Sequence, residues 1–367
     1  DTDTDTDTDT DTDTDTDTDT GSDSGTESDT APDTGTGSGD ADTDTDNRIH
    51  PARELLYLGA FRFPDTLDGY GWGYATQAMS YHPEGDASGP DDGSPGSLFA
   101  VTNTWSDINT AGEISIPPPV ISPTKDVADL PVAEQLQPLT DVTDGRQAGG
   151  VDDTQLADVQ VLPAQENQET ALLHWALWDY YSPAFDELAF GWCGLDFAAL
   201  DSHGTWRLDD YPFAATGKYL FEIPAPWADV HAGSRYLAAG RFRVQGNGSI
   251  GPALYAFAPW QDNGGTPPPD GAALEAVELL FYPDLEHKID NWSSADGFHD
   301  GVWLTAGERA AVVLTGNKAL RTWDSGQQYY GYPDQDQCGA KGYHAAPYVG
   351  AMFFYDPADL AAVAAGD

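Results

Sequence analysis

The stretch MFFYDPADL (Met352 to Leu360) contains the pattern that decides the fold: a short apolar strand ends on an aromatic residue, and a proline follows almost directly. Four other stretches end in a similar way, on an aromatic residue or Ile followed by Pro or a short step. They are EISIPPPV (Glu113 to Val120), GLDFAAL (Gly194 to Leu200), LFEIPAPW (Leu220 to Trp227) and LYAFAPW (Leu254 to Trp260). Five similar strand exits predict five similar structural units.

The chain around these exits has the pattern of an all-β protein. From Arg48 onward, short apolar runs alternate with clusters of Gly, Pro, Asp and Asn, and only Pro357 to Ala365 (PADLAAVAA) has a helical pattern. Small antiparallel sheets repeated radially protect their edges in a β-propeller, whose blades span about 40 to 50 residues. The sequence therefore predicts an all-β, β-propeller-like fold of about five blades, with a two-sheet sandwich as the alternative.

Closure of such a ring requires one more strand, and the irregular spacing of the exits requires insertions. The apolar segment around Leu55 to Phe63 is a candidate strand that would complete the last blade. The largest predicted insertion runs from Pro118 to Gly150.

Several of these stretches resemble a known group of proteins. ELLYLGAFRFP, GYGWGYATQAMSYHPEGD, SLFAVTN and EISIP, together with DGVWLTAGERAAVVLTG and the final YDPADLAAV, are similar to sequences of uncharacterised bacterial proteins. Those proteins are secreted or lipid-anchored and look like β-propellers. The likeness covers most of Leu55 to Val363 and implies a propeller fold, but it implies no chemistry.

An acidic segment of low complexity precedes the predicted propeller. Asp1 to Thr20 consists of ten Asp-Thr dipeptides, and residues 1–47 contain 18 acidic residues and no aromatic residue. Such a segment cannot bury apolar surface, and its carboxylates repel one another, so we expect it to be extended. At ~3.3 Å per residue the repeat alone would reach roughly 66 Å. We call residues 1–47 the strap and residues 48–367 the head.

Three roles for the strap remain open at this stage. It is a passive spacer, or its Thr residues carry O-glycans, or its Asp residues bind Ca²⁺. A straight strand brings too few carboxylates together for good Ca²⁺ coordination, so calcium is the weakest of the three. The Asp-Thr tract also resembles short peptide repeats that carry glycan coats on some extracellular fibrils. The predicted glycosylation sites are Thr2, Thr4, Thr6, Thr8, Thr10, Thr12, Thr14, Thr16, Thr18 and Thr20.

The excess of acidic residues argues against some classes of binding partner. The chain has 62 acidic residues, of which 18 lie in the strap; the 44 in the head face 15 Lys and Arg, a net charge of −29. Nucleic acids and anionic membranes require clustered basic residues, so the charge argues against both. It suits an extracellular protein that meets neutral glycans or divalent cations, or one from a high-salt habitat. No run of about 18 apolar residues occurs, so we expect no transmembrane segment.

The two cysteines, Cys193 and Cys338, are the minimum for one disulfide. In an oxidising compartment a bridge between them would close a long loop and contribute about 3 to 5 kcal/mol on the chain-entropy model. The alternative is two free, buried thiols.

Signals for chemistry are weak. Asp296 and Asp300 precede the strand-like GVWLT, and Asp179 lies beside the aromatic segment YYSPAF, so these three are the candidate catalytic carboxylates for glycoside hydrolysis. In so acidic a chain, Asp beside Gly or Ser more often marks a turn. His174, next to Trp175, is expected to be a packed core residue. No metal-site spacing or catalytic motif is present, so the sequence favours a non-enzymatic protein without a cofactor, calcium excepted.

These observations lead to two functional hypotheses. The first is an extracellular or cell-surface structural protein, whose head stands on an O-glycosylated strap and self-associates into a fibre or stalk. The second is a carbohydrate-binding or carbohydrate-cleaving propeller tethered by a passive linker.

Overall fold

The computed structural model describes most of the head. The described residues are 49, 55–64, 71–72, 75–89, 93–102, 109–147, 155–165, 169–178, 188–208, 211, 217–241, 249–260, 267–284, 286–290, 292–293, 296–319 and 348–366. The strap and the predicted boundary between residues 47 and 48 lie outside them. So do the predicted glycosylation sites Thr2 to Thr20, Asp179 and Cys338.

Strands dominate the described residues. In chain order they are β1 (Ala75–His82), β2 (Ser97–Thr102), β3 (Thr110–Ser115), β4 (Gln135–Thr140), β5 (Gln155–Leu162), β6 (Leu172–Trp178), β7 (Phe190–Cys193), β8 (Ser202–Leu208), β9 (Tyr219–Glu222), β10 (Leu237–Gly240), β11 (Leu254–Phe257), β12 (Ala273–Leu274), β13 (Ala276–Leu280), β14 (Gly297–Ala306), β15 (Arg309–Ala319) and β16 (Tyr348–Tyr355). The two α-helices are α1 (Ala225–His231) and α2 (Pro357–Ala365), and 3₁₀ turns occupy Val127–Asp129 and Phe197–Ala199.

The strands form four sheets arranged in a ring, which is a β-propeller. Blade 1 is β1-β2-β3-β4, blade 2 is β5-β6-β7-β8 with β12 added at its outer edge, blade 3 is β9-β10-β11-β13, and blade 4 is β14-β15-β16. All pairs are antiparallel except that of β12 with β8. The predicted all-β, propeller-like fold is confirmed, and the sandwich alternative is not formed.

The described residues make four blades where about five were expected, and the reason lies in the strand exits. The stretch Leu220 to Trp227 contains the end of β9, and the stretch Leu254 to Trp260 contains β11. Both strands belong to blade 3. The exit pattern therefore marks the end of a strand and not the end of a blade. The predicted insertion Pro118 to Gly150 also contains β4, the outer strand of blade 1.

The predicted closing strand takes a different position. Residues 55–63 contain no strand: Ala60 forms an isolated antiparallel bridge with Val120, and Arg62 a parallel one with Val132. Both partners lie in the connection between β3 and β4, so this segment lies against blade 1 and does not complete blade 4. Ile49 lies against blade 4, where it packs in a cluster with Val313 and Phe354.

Apolar packing between the blades forms the core. Phe99 of blade 1 contacts Phe197 of blade 2 at 5.3 Å between ring centroids, and Phe190 of blade 2 contacts Phe257 of blade 3 at 4.7 Å. Within blade 2, Gly191 lies opposite Trp175, and a Cβ atom at Gly191 would overlap the indole ring. The glycine therefore lets the largest core side chain lie flat against its neighbouring strand.

The helix predicted over Pro357 to Ala365 is confirmed with the same bounds. Asp356 caps it by accepting a hydrogen bond from the N–H of Ala358, Pro357 occupies the first turn, and Gly366 ends it in the left-handed conformation with φ of 90°. The short helix α1, which begins directly after Pro224, was not predicted. No helix among the described residues has the length and apolar character needed to cross a membrane.

Candidate functional site

The four innermost strands meet around the axis of the ring and build the candidate site. These are β1, β5, β9 and β14, one from each blade, and each packs against the next around the axis. Two hydrogen bonds accepted by side chains link neighbouring inner strands. Ser80 on β1 accepts from the N–H of Val161 on β5 at 2.7 Å, and Asp158 on β5 accepts from the N–H of Leu220 on β9 at 2.7 Å.

A cavity of about 880 Å³ opens at the end of this axis. It is lined by the C-terminal ends of β1, β5 and β9 and by the middle of β14. Its ionisable lining residues are His82, Glu84, Glu169, Glu222 and Asp300, and its aromatic ones are Tyr81, Phe221 and Trp303. No Lys or Arg is among the described lining residues. The cavity therefore presents carboxylates and aromatic rings together, which is a surface for hydroxyl-rich or cationic ligands.

Of the two predicted catalytic candidates within the described residues, Asp300 lines this cavity. It lies on β14 just after a shift in register with β15, and its Oδ1 accepts a hydrogen bond from the N–H of Gly301 at 2.7 Å. Burial raises the pKa of Asp300 to about 7, although the Gly301 N–H and the charge of Lys218 oppose the rise. A carboxyl group with a raised pKa holds its proton at a higher pH than a free carboxyl group does, which suits a proton donor.

Two buried charged residues from other blades lie close enough to Asp300 to interact with it electrostatically. Asp158 is 1% exposed, and burial and then the charge of Asp300 raise its pKa well above the usual range. Burial lowers the pKa of Lys218, while the charges of Asp158 and Asp300 raise it. The Lys218 ammonium also lies 4.9 Å from the ring centroid of Trp178. Asp158, Lys218 and Asp300 thus bring ionisable groups from blades 2, 3 and 4 into one electrostatic cluster.

The wall formed by blade 1 contains a histidine held by a buried carboxylate. His82 Nδ1 lies 3.2 Å from Glu113 Oε1, and the two side chains are 16% and 6% exposed. The same oxygen accepts from Ser97 Oγ at 2.5 Å, and Glu113 Oε2 accepts from Gln137 Nε2 at 2.6 Å. Gln137 also accepts from the N–H of Phe197 in blade 2. Glu113 is therefore fixed from three sides, and it fixes the imidazole in turn.

Asp296, the second candidate, has a structural role. It is buried outside the cavity lining, where Oδ2 accepts from Lys318 Nζ at 2.5 Å and Oδ1 accepts from the N–H of Ala319 at 3.0 Å. These contacts join the start of β14 to the end of β15. Asp179, the third candidate, lies outside the described residues.

His174 and Cys193 are both buried in the core of blade 2. His174 packs against Trp260 and has a pKa lowered to about 3 by burial, so it is the expected neutral core residue. Cys193 is buried in β7, and because Cys338 is outside the described residues the bridge between them stays a prediction. No cluster of His, Cys, Asp or Glu in the described part of the chain is arranged to hold a metal ion.

Sequence reasoning did not find His82, Glu113, Asp158, Lys218 or Glu222. One signal for Asp158 was present: it interrupts the apolar run of β5, and its neighbours Ala157 and Val159 are buried. A charged residue in such a run is rarely buried without a partner or a function.

Comparisons with protein-family models, with curated proteins and with solved structures find no match to this chain. Its function must therefore be argued from the geometry of the axial cavity.

Proposed function

We propose that the head binds carbohydrate in the axial cavity and that the strap connects this head to an extracellular or cell-surface assembly. One observation carries the proposal: the cavity combines carboxylates with aromatic rings and has no Lys or Arg among its described lining residues. Sugar hydroxyls donate hydrogen bonds to carboxylates, and the apolar faces of sugar rings pack on Trp and Tyr. The volume of about 880 Å³ is sufficient for a short oligosaccharide.

Trp303 is the best candidate for a stacking platform. It is partly exposed in the cavity, and its ring packs on Trp227 of α1 with centroids 5.0 Å apart, so its orientation is fixed before a ligand arrives. A fixed aromatic side chain contributes more to affinity than a mobile one, because less conformational entropy is lost on binding. Most other described tryptophans, such as Trp175 and Trp206, are buried in the core.

Calorimetric titration of the full chain with a panel of neutral oligosaccharides tests this function. At least one member should bind, and Trp303→Leu, which keeps an apolar side chain against Trp227, should weaken that binding by about 10-fold or more. Tyr348→Ala on β16, exposed and outside the cavity lining, is the matched control and should bind as the wild type does. Equal affinity of wild type and Trp303→Leu, or no binding across the panel, would refute the proposal.

The Asp-Thr repeat favours a second function, in which the chain is a subunit of a surface fibre. Heads with a net charge of −29 repel one another at low salt, so lateral assembly needs screening, cations or an uncharged glycan layer. A strap with glycans on Thr2 to Thr20 would supply that layer. Deleting Asp1 to Asn47 should then give heads with unchanged Trp fluorescence that no longer form fibres in electron micrographs. Normal fibres from the truncated chain would assign the strap to tethering alone.

A further inference from the structure

Resting on the carbohydrate-binding function above, we propose that the axial cavity also hydrolyses a glycosidic bond, with Asp300 as the proton donor and His82, oriented by Glu113, as the base. The inference comes from two arrangements on different blades that converge on the same cavity. One is a histidine held by a buried carboxylate, and the other is a carboxyl group that interacts electrostatically with the buried side chains of Asp158 and Lys218. Neither is needed for binding alone.

The first arrangement gives His82 a defined orientation. Glu113 already accepts hydrogen bonds from Ser97 and Gln137, so its Oε1 is fixed where the Nδ1–H of His82 donates to it. A histidine that donates through Nδ1 keeps the lone pair of Nε2 to accept a proton. A base whose orientation is set by a buried carboxylate is the geometry that general base catalysis uses.

A backbone turn at Gly85 packs closely against the hydrogen bonds of His82, Glu113 and Ser97. Gly85 lies so close that a Cβ atom there would overlap Ser97 Oγ and approach Glu113 Oε1 and His82 Nδ1 at 2.5 and 2.6 Å. The turn that contains Gly85, whose N–H donates to the carbonyl of His82 at 3.2 Å, therefore covers the carboxylate and leaves no space for another side chain.

The second arrangement keeps Asp300 able to hold a proton. Oδ1 accepts from a single backbone N–H, that of Gly301, and no hydrogen bond to Oδ2 is formed by the described residues. The groups that act on it electrostatically are Lys218, which precedes β9, and Asp158 on β5. Glu222 and His82 line the same cavity, and burial also raises the pKa of Glu222. A raised pKa lets Asp300 keep its proton closer to neutral pH than a free carboxyl group would.

The chemical step balances without a cofactor. His82 Nε2 takes a proton from water while the water oxygen bonds to the anomeric carbon. The bond between that carbon and the glycosidic oxygen breaks, and Asp300 gives its proton to the departing oxygen. The products are a hemiacetal and an alcohol, and the imidazolium proton returns to Asp300 through solvent. This division of roles between a proton donor and a base is that of single-displacement glycoside hydrolysis.

Paired aryl glycosides test the role of Asp300 in the full chain. A phenyl leaving group needs a proton, whereas 2,4-dinitrophenolate leaves without one. We expect the wild type to hydrolyse both aryl forms of at least one common neutral sugar. Asp300→Asn should slow the phenyl glycoside by about 100-fold or more and the dinitrophenyl glycoside by less than about 10-fold. Equal losses on both substrates would remove Asp300 from the role of proton donor.

The pH profile of the wild type gives an independent measurement. Because the proton donor must be protonated, kcat/KM for the phenyl glycoside should fall as pH rises through about 7. The dinitrophenyl glycoside should not follow this fall. A phenyl profile that stays level to pH 9 would contradict the assignment.

Azide rescue tests the role of His82, and the loss of activity in a Glu113 variant tests the positioning role of Glu113. His82→Ala should lose about 100-fold on the dinitrophenyl glycoside, and sodium azide, which attacks the anomeric carbon without a base, should restore turnover as glycosyl azide. His82→Gln is the second variant if alanine impairs folding. Glu113→Gln, which alters positioning only, should lose less activity than His82→Ala. Glu308→Gln, in the exposed turn between β14 and β15, should retain full activity. Absence of azide rescue in both His82 variants would overturn the role of His82.

Failure of this inference differs from failure of the binding function. If the wild type binds a neutral oligosaccharide through Trp303 but hydrolyses no aryl glycoside, hydrolysis is refuted and binding stands. If nothing is bound and nothing is hydrolysed, both are refuted.

Discussion

Asp158→Ala is the most informative single substitution in the head, because this carboxylate joins two blades at the axis. Its Oδ1 accepts from the N–H of Val159 and its Oδ2 from the N–H of Leu220, both at 2.7 Å. Leu220 lies on β9, so the second bond crosses from blade 2 to blade 3. Alanine leaves both buried N–H groups without this acceptor.

The expected loss of stability in Asp158→Ala comes from the two buried N–H groups of Val159 and Leu220. An unsatisfied buried donor costs about 1 to 3 kcal/mol, so the loss should be on the order of 3 kcal/mol in the free energy of unfolding. This is a large part of the ~5 to 15 kcal/mol that stabilises a typical domain. The cost should also depend on pH, because burial raises the folded-state pKa of Asp158 well above its unfolded value.

The sign of that dependence is fixed by linkage. Between the unfolded and folded pKa values of Asp158, the folded state binds more protons, so this group makes the wild type less stable as pH rises above about 4. The Asp158→Ala variant has no carboxyl group at this position, so its stability does not show this decrease with pH. The difference between wild type and variant should therefore be largest at acid pH and should shrink between pH 5.5 and pH 8.

Urea unfolding of the full chain, followed by Trp fluorescence at pH 5.5 and pH 8, measures both quantities. Asp270→Ala, at an exposed position, is the control and should change stability by less than about 0.5 kcal/mol. A loss below about 1 kcal/mol at pH 5.5 would contradict the importance of the two hydrogen bonds. A difference that grows with pH would mean that Lys218 stabilises an ionised Asp158 and that the folded state lowers the pKa of this carboxyl group.

Three further predictions concern other parts of the chain. Gly85→Ala should destabilise the head by about 1 to 3 kcal/mol in urea unfolding, because the added Cβ atom would overlap Ser97 Oγ. Gly350→Ala is the control and should be nearly neutral, since no atom lies within 4 Å of its added carbon. Equal effects of the two substitutions would contradict the close packing at Gly85. The native peptide Asp1 to Asn47 should show glycan mass increments, and an unmodified mass would refute O-glycosylation of Thr2 to Thr20. In folded protein the Cys193 thiol, which burial gives a pKa of about 12, should resist iodoacetamide; in unfolded, unreduced protein, alkylation of both Cys193 and Cys338 would exclude the bridge.

The fold was predictable to the level of its class because strand ends and helix caps are local signals. Helix α2 was found with its bounds because Asp356, Pro357 and Gly366 act within a few residues of one another. The number of blades could not be predicted from local sequence patterns. The sequence pattern of a strand exit is similar after β9, the inner strand of blade 3, and after β11, its third strand. Which sheet a strand joins is decided by packing over long sequence distances.

The same limit applies to the site. Asp296 and Asp300 are four residues apart and chemically identical, yet Lys318 binds one and the other lines the cavity. A register shift between Phe298 and Asp300 separates them, and sequence does not reveal it. His82 and Glu113 are 31 residues apart, and only the pairing of β1, β2 and β3 brings them together.

The ionisable groups at the axis favour a role for this region beyond stability. The inner strands could pack through apolar side chains, as the contacts between Phe99 and Phe197 and between Phe190 and Phe257 do further out. Instead the axis holds Asp158, Lys218 and Asp300, and burial shifts the pKa of each against its charged form. Replacing buried charges by apolar residues is often neutral or stabilising. Burying these groups beside an 880 Å³ cavity costs free energy of folding, and that cost is explained if the groups act on a ligand there.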